Sequence, residues 1–272
     1  YVTDIITRLS REWIEQRNPD KPFMLMMHHK APHRNWMPAP GLLDTLDNRD
    51  FKVPDTFYDD YAGRPHLEDQ KLTVANHLDY QYDLKIPCDT CPVAPINSWA
   101  PYYYKLAMRR LSDEQREAWF EGYRDDIEHF RNAELSGKAL DEWKFQRYME
   151  DYLRCIISVD YSIGRLTHYL KSQGLDENTL VVYTSDQGFF LGEHGLFDKR
   201  YMYEESLRTP LIIKYPEEIK PDRVRDELVQ NLDIAPTLLD YAGVPVPETM
   251  QGKSMRPLLT ENGQGQWSEA VY

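Results

Sequence analysis

The sequence has few cysteines and no long apolar run. Its 272 residues include three cysteines, an odd and low number that does not favour a framework of disulfide bonds. No apolar segment approaches the roughly 20 residues that a membrane-spanning helix requires, so we expect no membrane span. With 41% hydrophobic and 28% charged residues, the composition is that of an ordinary globular chain.

Positive charge is also scarce. Lys and Arg total 32 against 45 Asp and Glu, which gives a net charge of -13 at pH 7. A field of that sign repels nucleic acid, so we do not expect nucleic acid as a partner. An anion that binds this chain must therefore meet a local cluster of cations or a metal ion.

Helix-like and strand-like segments alternate along the chain. Residues 145–170 carry apolar side chains at alternating steps of four and three, which predicts a long helix that Gly174 stops. Ser112 and Gln115 have the spacing of a capping box, which predicts a second helix start. Strands are predicted at 23–27, 180–184 and 211–215, and further helices at 2–13 and 232–241. This order predicts an α/β fold with a mainly parallel sheet flanked by helices.

The middle of the chain has a different character. Residues 37–104 are rich in Pro, Asp and Tyr and show little periodicity. We expect them to form an excursion packed on the surface, over a substrate cleft. Cys88 and Cys91 have the spacing of a metal knuckle, but zinc is not expected without a second cysteine pair. Cys155 lies within the periodic helix and is predicted to be buried.

Polar side chains follow two of the predicted strands. Ligands of open α/β sheets bind beyond the carboxyl ends of the strands. Asp186 and Gln187 follow one strand and offer two oxygen ligands suited to Ca²⁺ or Mg²⁺, and Gly188 allows a sharp turn after them. His33 is a candidate general acid and Lys199 a point charge for a tetrahedral anion. Taken singly, each also fits a turn, a surface histidine or a solvated lysine.

The order and spacing of several motifs resemble the sulfatase family of the alkaline-phosphatase-like superfamily. The matching segments are 21–23, 30–33, 179–188, 191–199, 203–211, 233–238 and 252–258. They cover both ends of the chain, while the middle is less recognisable. The resemblance implies an alkaline-phosphatase-like fold, with an incomplete catalytic domain at 1–264 and the start of a small C-terminal subdomain at 265–272.

The resemblance also implies two cofactors, calcium and formylglycine. Asp186 and Gln187 stand at positions of calcium ligands, although the family usually has Asn or His where Gln187 stands. Sulfatases make formylglycine from the Cys or Ser of a Cys/Ser-x-Pro-x-Arg motif, which residues 88–93 do not match. We therefore expect the nucleophile and two further calcium-binding Asp residues in an upstream segment outside this chain, and we expect this chain alone to be inactive.

The implied activity is hydrolysis of sulfate esters on carbohydrates, and the motifs look most like those of N-acetylglucosamine-6-sulfatases. His33 would lie at the leaving oxygen of the ester and Lys199 at the sulfate oxygens. His194 and Arg34 would bind the substrate. Four aromatic residues of the middle segment could stack on sugar rings or serve only as packing: Trp99, Tyr102, Tyr103 and Tyr104.

Two other functions stay open at the level of sequence. A phosphodiesterase or phosphonate hydrolase of the same superfamily would share the Asp and Lys positions. A carbohydrate-binding relative without catalysis would keep the fold and lack the nucleophile. Enzymes of the resembling type are usually exported, so we expect a periplasmic, secreted or lysosomal location. The sequence does not give the oligomeric state.

Overall fold

The computed structural model describes residues 1–47, 49–260 and 267–270. The chain forms two compact units. Unit 1 comprises Tyr1–Tyr169 and Gln187–Arg208, and unit 2 comprises Leu170–Asp186 and Thr209–Tyr272. The boundary predicted between 264 and 265 lies outside the described residues. So do residues 271–272 of the strand-like segment at 269–272, whose first two residues are not in a strand.

Helices predominate among the described residues. The α-helices are α1 (Val2–Glu15), α2 (Pro65–Glu68), α3 (Val74–His77), α4 (Ala100–Arg110), α5 (Asp113–Gly122), α6 (Arg124–Asn132), α7 (Gly137–Ser172), α8 (Glu204–Leu207), α9 (Ile234–Tyr241) and α10 (Arg256–Leu259). The strands are β1 (Val181–Thr184), β2 (Phe190–Leu191), β3 (Phe197–Asp198) and β4 (Leu211–Lys214).

The long periodic helix and the capping box are confirmed. Helix α7 is 36 residues long, and Gly174 ends it with a positive φ of 65°. The N–H of Leu175 donates to the carbonyl of Leu170 at 2.9 Å, the reach-back bond of a glycine-terminated helix. At the start of α5, the Ser112 hydroxyl accepts from the Gln115 N–H at 3.2 Å, and the Gln115 side chain accepts from the Ser112 N–H at 3.0 Å.

The apolar core of unit 1 includes much of the middle segment, so the expected surface excursion is wrong. Residues 37–104 contribute buried side chains to the same cluster as Trp36, Phe145 and Tyr148 of the flanking segments. Those side chains are Leu43, Phe57, Val74, Leu78, Tyr80, Leu84 and Ile86. The sequence shows no period there because the elements in this segment are only three or four residues long before α4 begins at Ala100. Cys155 of α7 is buried, as predicted.

The strands of the described residues pair in two antiparallel ladders. β1 pairs with β4 in the register Val181 with Lys214 and Thr184 with Leu211, and β2 pairs with β3. Strands β1 and β4 were both predicted, but the expectation that they lie in a mainly parallel sheet is wrong for this pair, since they run antiparallel. Parallel neighbours need a long crossover, usually a helix, and the longest helix between β1 and β4 is the four-residue α8. Residues 23–27, predicted as a strand, join no ladder among the described residues.

Helix α1 has the reverse of the usual amphipathic arrangement. It was predicted from Val2, Ile5, Leu9 and Trp13, and all four side chains are exposed. The buried face carries Thr3, Thr7, Ser10 and Ile14. The Thr7 hydroxyl contacts the hydroxyl of Ser162 on α7 at 2.5 Å, and it also donates to the Thr3 carbonyl at 2.8 Å. The Thr7 hydroxyl thus links this face to α7, while the apolar stripe of α1 is exposed.

Charged side chains are buried along α7. Arg147 and Arg154 pair there with four carboxylates, those of Asp47, Asp126, Glu150 and Asp151. Because the carboxylates outnumber the guanidinium groups in this cluster, they cannot all be fully compensated. Burial raises the pKa of Glu150 to about 7 against the attraction of Arg147, and Asp126 adds to the rise.

This cluster predicts an unusual dependence of stability on pH. The pKa of Glu150 rises from 4.5 to about 7 on folding, so the folded chain keeps a proton that the unfolded chain releases in that window. The free energy of unfolding should therefore fall as the pH rises from about 4.5 to about 7, by at most about 3 kcal/mol. Glu150→Gln stays neutral and should flatten that part of the profile in urea unfolding.

The control for this prediction is Glu128→Gln, which changes an exposed glutamate of α6. Its profile should follow that of the unaltered chain. An unchanged slope between about pH 4.5 and 7 in Glu150→Gln would show that folding does not raise the pKa of Glu150.

Candidate active site

A buried ion pair fixes Arg34. Its Nε donates to Oδ1 of Asp83 at 2.8 Å, and its Nη2 donates to Oδ2 of the same carboxylate. The Asp83 side chain is fully buried, and that of Arg34 is 12% exposed. Burial acts to lower the pKa of Arg34, but the charge of Asp83 outweighs it and raises that pKa. A two-point contact of this kind fixes the plane of the guanidinium group.

The turn that carries Asp83 is itself tightly bonded. Asp79 accepts the N–H groups of Gln81 and Tyr82 at 3.0 and 2.7 Å, while Asp83 accepts the N–H of Asp79 at 2.7 Å. Lys85 is buried and donates to the carbonyls of Tyr82 and Asp83 at 2.9 and 3.0 Å. Burial lowers the pKa of Lys85. These bonds hold the Asp83 carboxylate in place before any ligand arrives.

A second contact to Arg34 comes from Asn97. Its Oδ1 accepts from Nη2 of Arg34 at 3.1 Å, and its Nδ2 donates to the carbonyl of His77 at 2.5 Å. Between Asp83 and Asn97 the chain is closed by a disulfide bond between Cys88 and Cys91. The low cysteine count had not favoured disulfides, and this one closes a loop within the segment that holds Arg34.

Asp83 and Asn97 together form a clamp on Arg34, and His33 is the preceding residue in the chain. Its side chain is exposed, and its Nδ1 donates to the Arg34 carbonyl at 2.7 Å. That bond requires a proton on Nδ1, so Nε2 is the ring nitrogen left for a second hydrogen bond. The Nε1 of Trp36 donates to the carbonyl of Pro32 at 2.8 Å and closes the same loop. His33 is thus held through Nδ1 by a backbone carbonyl within this loop.

Lys199 is a nearly buried cation. Its side chain is 7% exposed and its Nζ lies 3.5 Å from Oδ1 of Asp198 and 5.3 Å from the ring centre of Phe189. Arg200 pairs with Oδ2 of the same carboxylate at 3.0 Å. Two cations therefore share one carboxylate, which leaves a local excess of positive charge.

The segments that carry Arg34 and Lys199 meet in unit 1. The guanidinium carbon of Arg34 lies 5.0 Å from the ring centre of Phe197, and Asp198 adds to the rise in the pKa of Arg34. Trp36 packs edge-on against Phe197, at 6.4 Å between ring centres. The sequence placed these residues in separate motifs, and the structure brings the motifs together.

His194 forms a separate hydrogen-bonded group in unit 1. Its Nδ1 lies 2.6 Å from Oδ2 of Asp59, which also pairs with Arg64. Its N–H donates to the Thr56 hydroxyl at 3.0 Å, and its carbonyl accepts from the Tyr61 hydroxyl at 2.7 Å. Burial acts to raise the pKa of Asp59, but hydrogen bonds from Arg64 and His194 outweigh it and lower that pKa to about 2.

The candidate calcium ligands are adjacent in sequence and are described with different units. Asp186 is exposed in unit 2, where its carbonyl accepts from Nδ2 of Asn231 at 3.0 Å. Gln187 is half-buried in unit 1. Carboxylate and amide oxygens have the donor chemistry that calcium prefers, but two residues are fewer than its roughly six to eight ligands. Within residues 1–47, 49–260 and 267–270, no group of three or more His, Cys, Asp and Glu side chains could hold a metal ion.

Position 188 requires glycine because of close packing and not because of the expected sharp turn. A Cβ there would lie 2.2 Å from the Glu205 carbonyl oxygen and 2.6 Å from that of Arg208. The N–H of Gly188 donates to the carbonyl of Ser206 at 2.8 Å. Close approach of two backbone segments therefore excludes any side chain at this position.

Sequence reasoning missed three residues that position the candidate site. Asp59 holds His194, while Asp83 and Asn97 hold Arg34, and all three lie in the middle segment that shows no period. The available signal was local: Asp79 and Asp83 stand four residues apart in a run that is rich in tyrosine. That spacing fits a turn in which Asp side chains accept backbone N–H groups.

The Asp59 contacts predict a loss of stability in acid. The folded-state pKa of about 2 lies below the ordinary 3.8, so this stabilisation is present above about pH 4 and is lost as the pH falls towards about 2. Asp59→Asn should lower the free energy of unfolding by about 1–2 kcal/mol at neutral pH, and the difference should vanish near pH 2. Denaturant titrations at several pH values measure it.

The matched control is Asp55→Asn, since Asp55 is an exposed carboxylate paired with Lys52 on the surface. It should change the free energy of unfolding by less than about 0.5 kcal/mol. Equal effects of the two substitutions at neutral pH would contradict a stabilising role for the Asp59 contacts.

The sequence of this chain is similar to those of known sulfatases. Over its entire length the chain is 44% identical to an N-acetylglucosamine-6-O-sulfatase from Bacteroides thetaiotaomicron, of which it covers 49%. It is 43% identical over 112 residues to an extracellular sulfatase SULF-1 homolog from Drosophila melanogaster, which is 41% of this chain and 10% of that protein. The chain thus spans about half the length of the Bacteroides relative and a smaller share of the Drosophila relative.

The fold of this chain matches a solved structure along its whole length. The structure of BT4656 in complex with its substrate D-glucosamine-2-N,6-O-disulfate matches with a TM-score of 0.91 and 44% identity, covering 100% of this chain and 55% of that chain. This agreement confirms the predicted α/β, alkaline-phosphatase-like fold class. Among the residues described here, no helix combines the length and apolar content needed to cross a membrane.

A family description covers the end of the chain. Residues 192–272 match the C-terminal region of N-sulphoglucosamine sulphohydrolase. That region begins within the motif that contains His194 and Lys199. Together with the relative that is 44% identical throughout, this match confirms the predicted resemblance. Along its whole length the chain resembles the sulfatase family of the alkaline-phosphatase-like superfamily.

Proposed function

We propose that this chain is part of an enzyme that hydrolyses sulfate esters on carbohydrates, with a 6-O-sulfated glucosamine or N-acetylglucosamine as its substrate. The observation that carries the proposal is the 44% identity, along the whole chain, to a protein named N-acetylglucosamine-6-O-sulfatase. The buried, oriented cations of unit 1 support it, because an acidic chain needs them to hold a sulfate group.

In this proposal Lys199 binds the sulfate oxygens. Its ammonium group is nearly buried, so its charge is weakly screened and acts strongly on a bound anion. Asp198 holds the ammonium group in place, while Arg200 offsets part of the carboxylate charge. A cation that is fixed before substrate binds can stabilise the charge that develops on the sulfate oxygens during attack.

Arg34 binds the substrate beside Lys199. Asp83 and Asn97 engage its Nε and Nη2, which leaves Nη1 for a sugar oxygen or a sulfate oxygen. Because the guanidinium plane is fixed by two partners, little side-chain entropy is lost when the ligand binds. His194, held by Asp59 and Thr56, is assigned a second substrate contact.

His33 supplies the proton for the leaving sugar oxygen. Its Nδ1 is bonded to the backbone, so Nε2–H of the protonated ring is the donor. An alkoxide on a sugar carbon is a poor leaving group, and protonation of the oxygen as the S–O bond breaks removes that barrier. The exposed position of His33 also allows the ring to be reprotonated from solvent.

A calcium ion and a formylglycine would complete the proposed site. Asp186 and Gln187 would hold a calcium ion together with oxygen ligands from elsewhere in the enzyme. Calcium would neutralise sulfate oxygens, and a formylglycine outside this chain would provide the attacking oxygen. The Cys88–Cys91 disulfide supports an exported location, since such bonds persist in oxidising compartments.

Replacement of Lys199 tests the proposal in the full-length protein that contains this chain. Lys199→Met should lower kcat for a 6-O-sulfated glucosamine by about 100-fold or more, because a fixed cation at the sulfate oxygens is lost. Sulfate release under substrate saturation measures this change. Lys52→Met, at an exposed lysine far more open to solvent, is the control and should retain full turnover.

The same assay separates the proposed activity from its alternatives. Preferential hydrolysis of a phosphonate monoester or a phosphodiester would identify a different hydrolase of this superfamily. Saturable binding of the sulfated sugar without turnover by the full-length protein would identify a carbohydrate-binding relative. Full activity of Lys199→Met would remove Lys199 from the site.

The role of His33 predicts a dependence on the leaving group. His33→Ala should lower kcat for a sugar sulfate by about 100-fold or more, since a sugar alkoxide needs a proton. With an aryl sulfate such as 4-nitrophenyl sulfate, the leaving phenolate is stable without one, so the loss should be much smaller. Parallel kcat measurements on the two substrates give the ratio. Equal losses would assign His33 to binding or to structure and not to proton transfer.

A further inference from the structure

Aromatic rings form an exposed row that starts at the candidate site. The Arg34 guanidinium carbon lies 5.1 Å from the ring centre of Trp99. Trp99 lies 5.9 Å from the ring of Tyr103, which in turn lies 5.2 Å from that of Tyr102. The side chain of Tyr102 is 66% exposed and that of Tyr103 49% exposed. Apolar surface that is grouped and exposed in this way is typical of a binding surface.

The neighbouring Tyr104 serves a different purpose. It is half-buried and packs against Trp119 of the core at 6.2 Å between ring centres. Burial raises the pKa of Tyr104 to about 12. Of the four aromatic residues for which stacking and packing were both open, the structure thus assigns Tyr104 to packing and leaves three on the surface.

The row is held at its inner end. Asn97, two residues before Trp99, is buried and bonded to both Arg34 and the His77 carbonyl. Tyr82 packs edge-on against Trp99 at 5.2 Å. The first turn of α4 continues from Trp99, whose carbonyl accepts from the Tyr103 N–H at 3.3 Å. The rings therefore project from a rigid helix start that is tied to the substrate-binding arginine.

The rest of α4 is positively charged. Its eleven residues include Lys105, Arg109 and Arg110 and no acidic residue, although the chain carries a net charge of -13. Tyr102, Lys105 and Arg109 are spaced by three and four residues and so share one face of the helix. Both cations are exposed. Aromatic rings near the site thus lead along one face to cations farther from it.

We propose that this surface, the α4 face formed by Trp99, Tyr102, Tyr103, Lys105 and Arg109, binds a sulfated oligosaccharide beyond the residue that is hydrolysed. This inference rests on the proposed function. The aromatic rings stack on the apolar face of the next sugar, and the cations pair with a sulfate or carboxylate farther along. Continuity with Arg34 gives the direction of the chain, and the charge of α4 selects an anionic one.

The test compares two substrates in the full-length enzyme: a 6-O-sulfated glucosamine monosaccharide, and a sulfated oligosaccharide that ends in the same residue. Tyr102→Ala and Arg109→Ala should each raise KM for the oligosaccharide by about five- to tenfold. Neither residue touches the reacting ester, so kcat/KM for the monosaccharide should not change. The KM effect of Arg109→Ala should shrink as salt is added.

Matched controls are Tyr161→Ala, which removes a tyrosine of α7 that is 58% exposed, and Arg131→Ala on α6, also exposed. Both should leave the two KM values unchanged. The inference would be overturned if Tyr102→Ala lowered kcat/KM equally for both substrates, or if it left KM for the oligosaccharide unchanged. In either case, turnover of the monosaccharide by the unaltered enzyme would still support the proposed function. Absence of turnover on both substrates in the unaltered enzyme would instead refute the proposed function.

Discussion

The pairing of Arg34 with the fully buried carboxylate of Asp83 organises the candidate site. A buried charge without a partner would cost several kcal/mol, so each member of the pair requires the other. The consequence reaches His33, because its ring is bonded to the carbonyl of Arg34. It also reaches the exposed aromatic row, since Asn97 bonds Arg34 two residues before Trp99. One interaction therefore fixes a cation, the candidate proton donor and the proposed binding surface at once.

The same physical constraint recurs on α7, where Arg147 and Arg154 are buried among carboxylates. Charge pairs inside a protein specify which segments can meet, because any other arrangement leaves an uncompensated charge. In unit 1 they join residues far apart in the sequence, with 49 positions between Arg34 and Asp83 and 107 between Asp47 and Arg154. The apolar cluster around Trp36 and Tyr148 provides burial, while the ion pairs select the partners.

Local signals in the sequence were sufficient for some elements and insufficient for others. The capping box at Ser112 and the period of α7 depend on residues three or four positions apart, so the sequence predicted both correctly. Helix α1 was predicted as a helix, but which face is buried depends on the hydroxyl of Ser162, over 150 residues away. The clamp on Arg34 could not be predicted for the same reason, since Asp83 and Asn97 lie in a segment without periodic structure. The strand motifs were found, yet their antiparallel pairing depends on the connection between them.

Net charge was a correct guide to the average field and a poor guide to the local one. The total of -13 excludes a large basic surface, but the sign of a site depends on the few charges within about 10 Å of it. At Lys199 two cations share the carboxylate of Asp198, and α4 carries three cations without an acid. An acidic chain can thus hold an anion at two neighbouring places while repelling polyanions elsewhere. That distribution is consistent with the proposed substrate, because a short sulfated glycan can engage these few cations without lying across the acidic remainder of the surface.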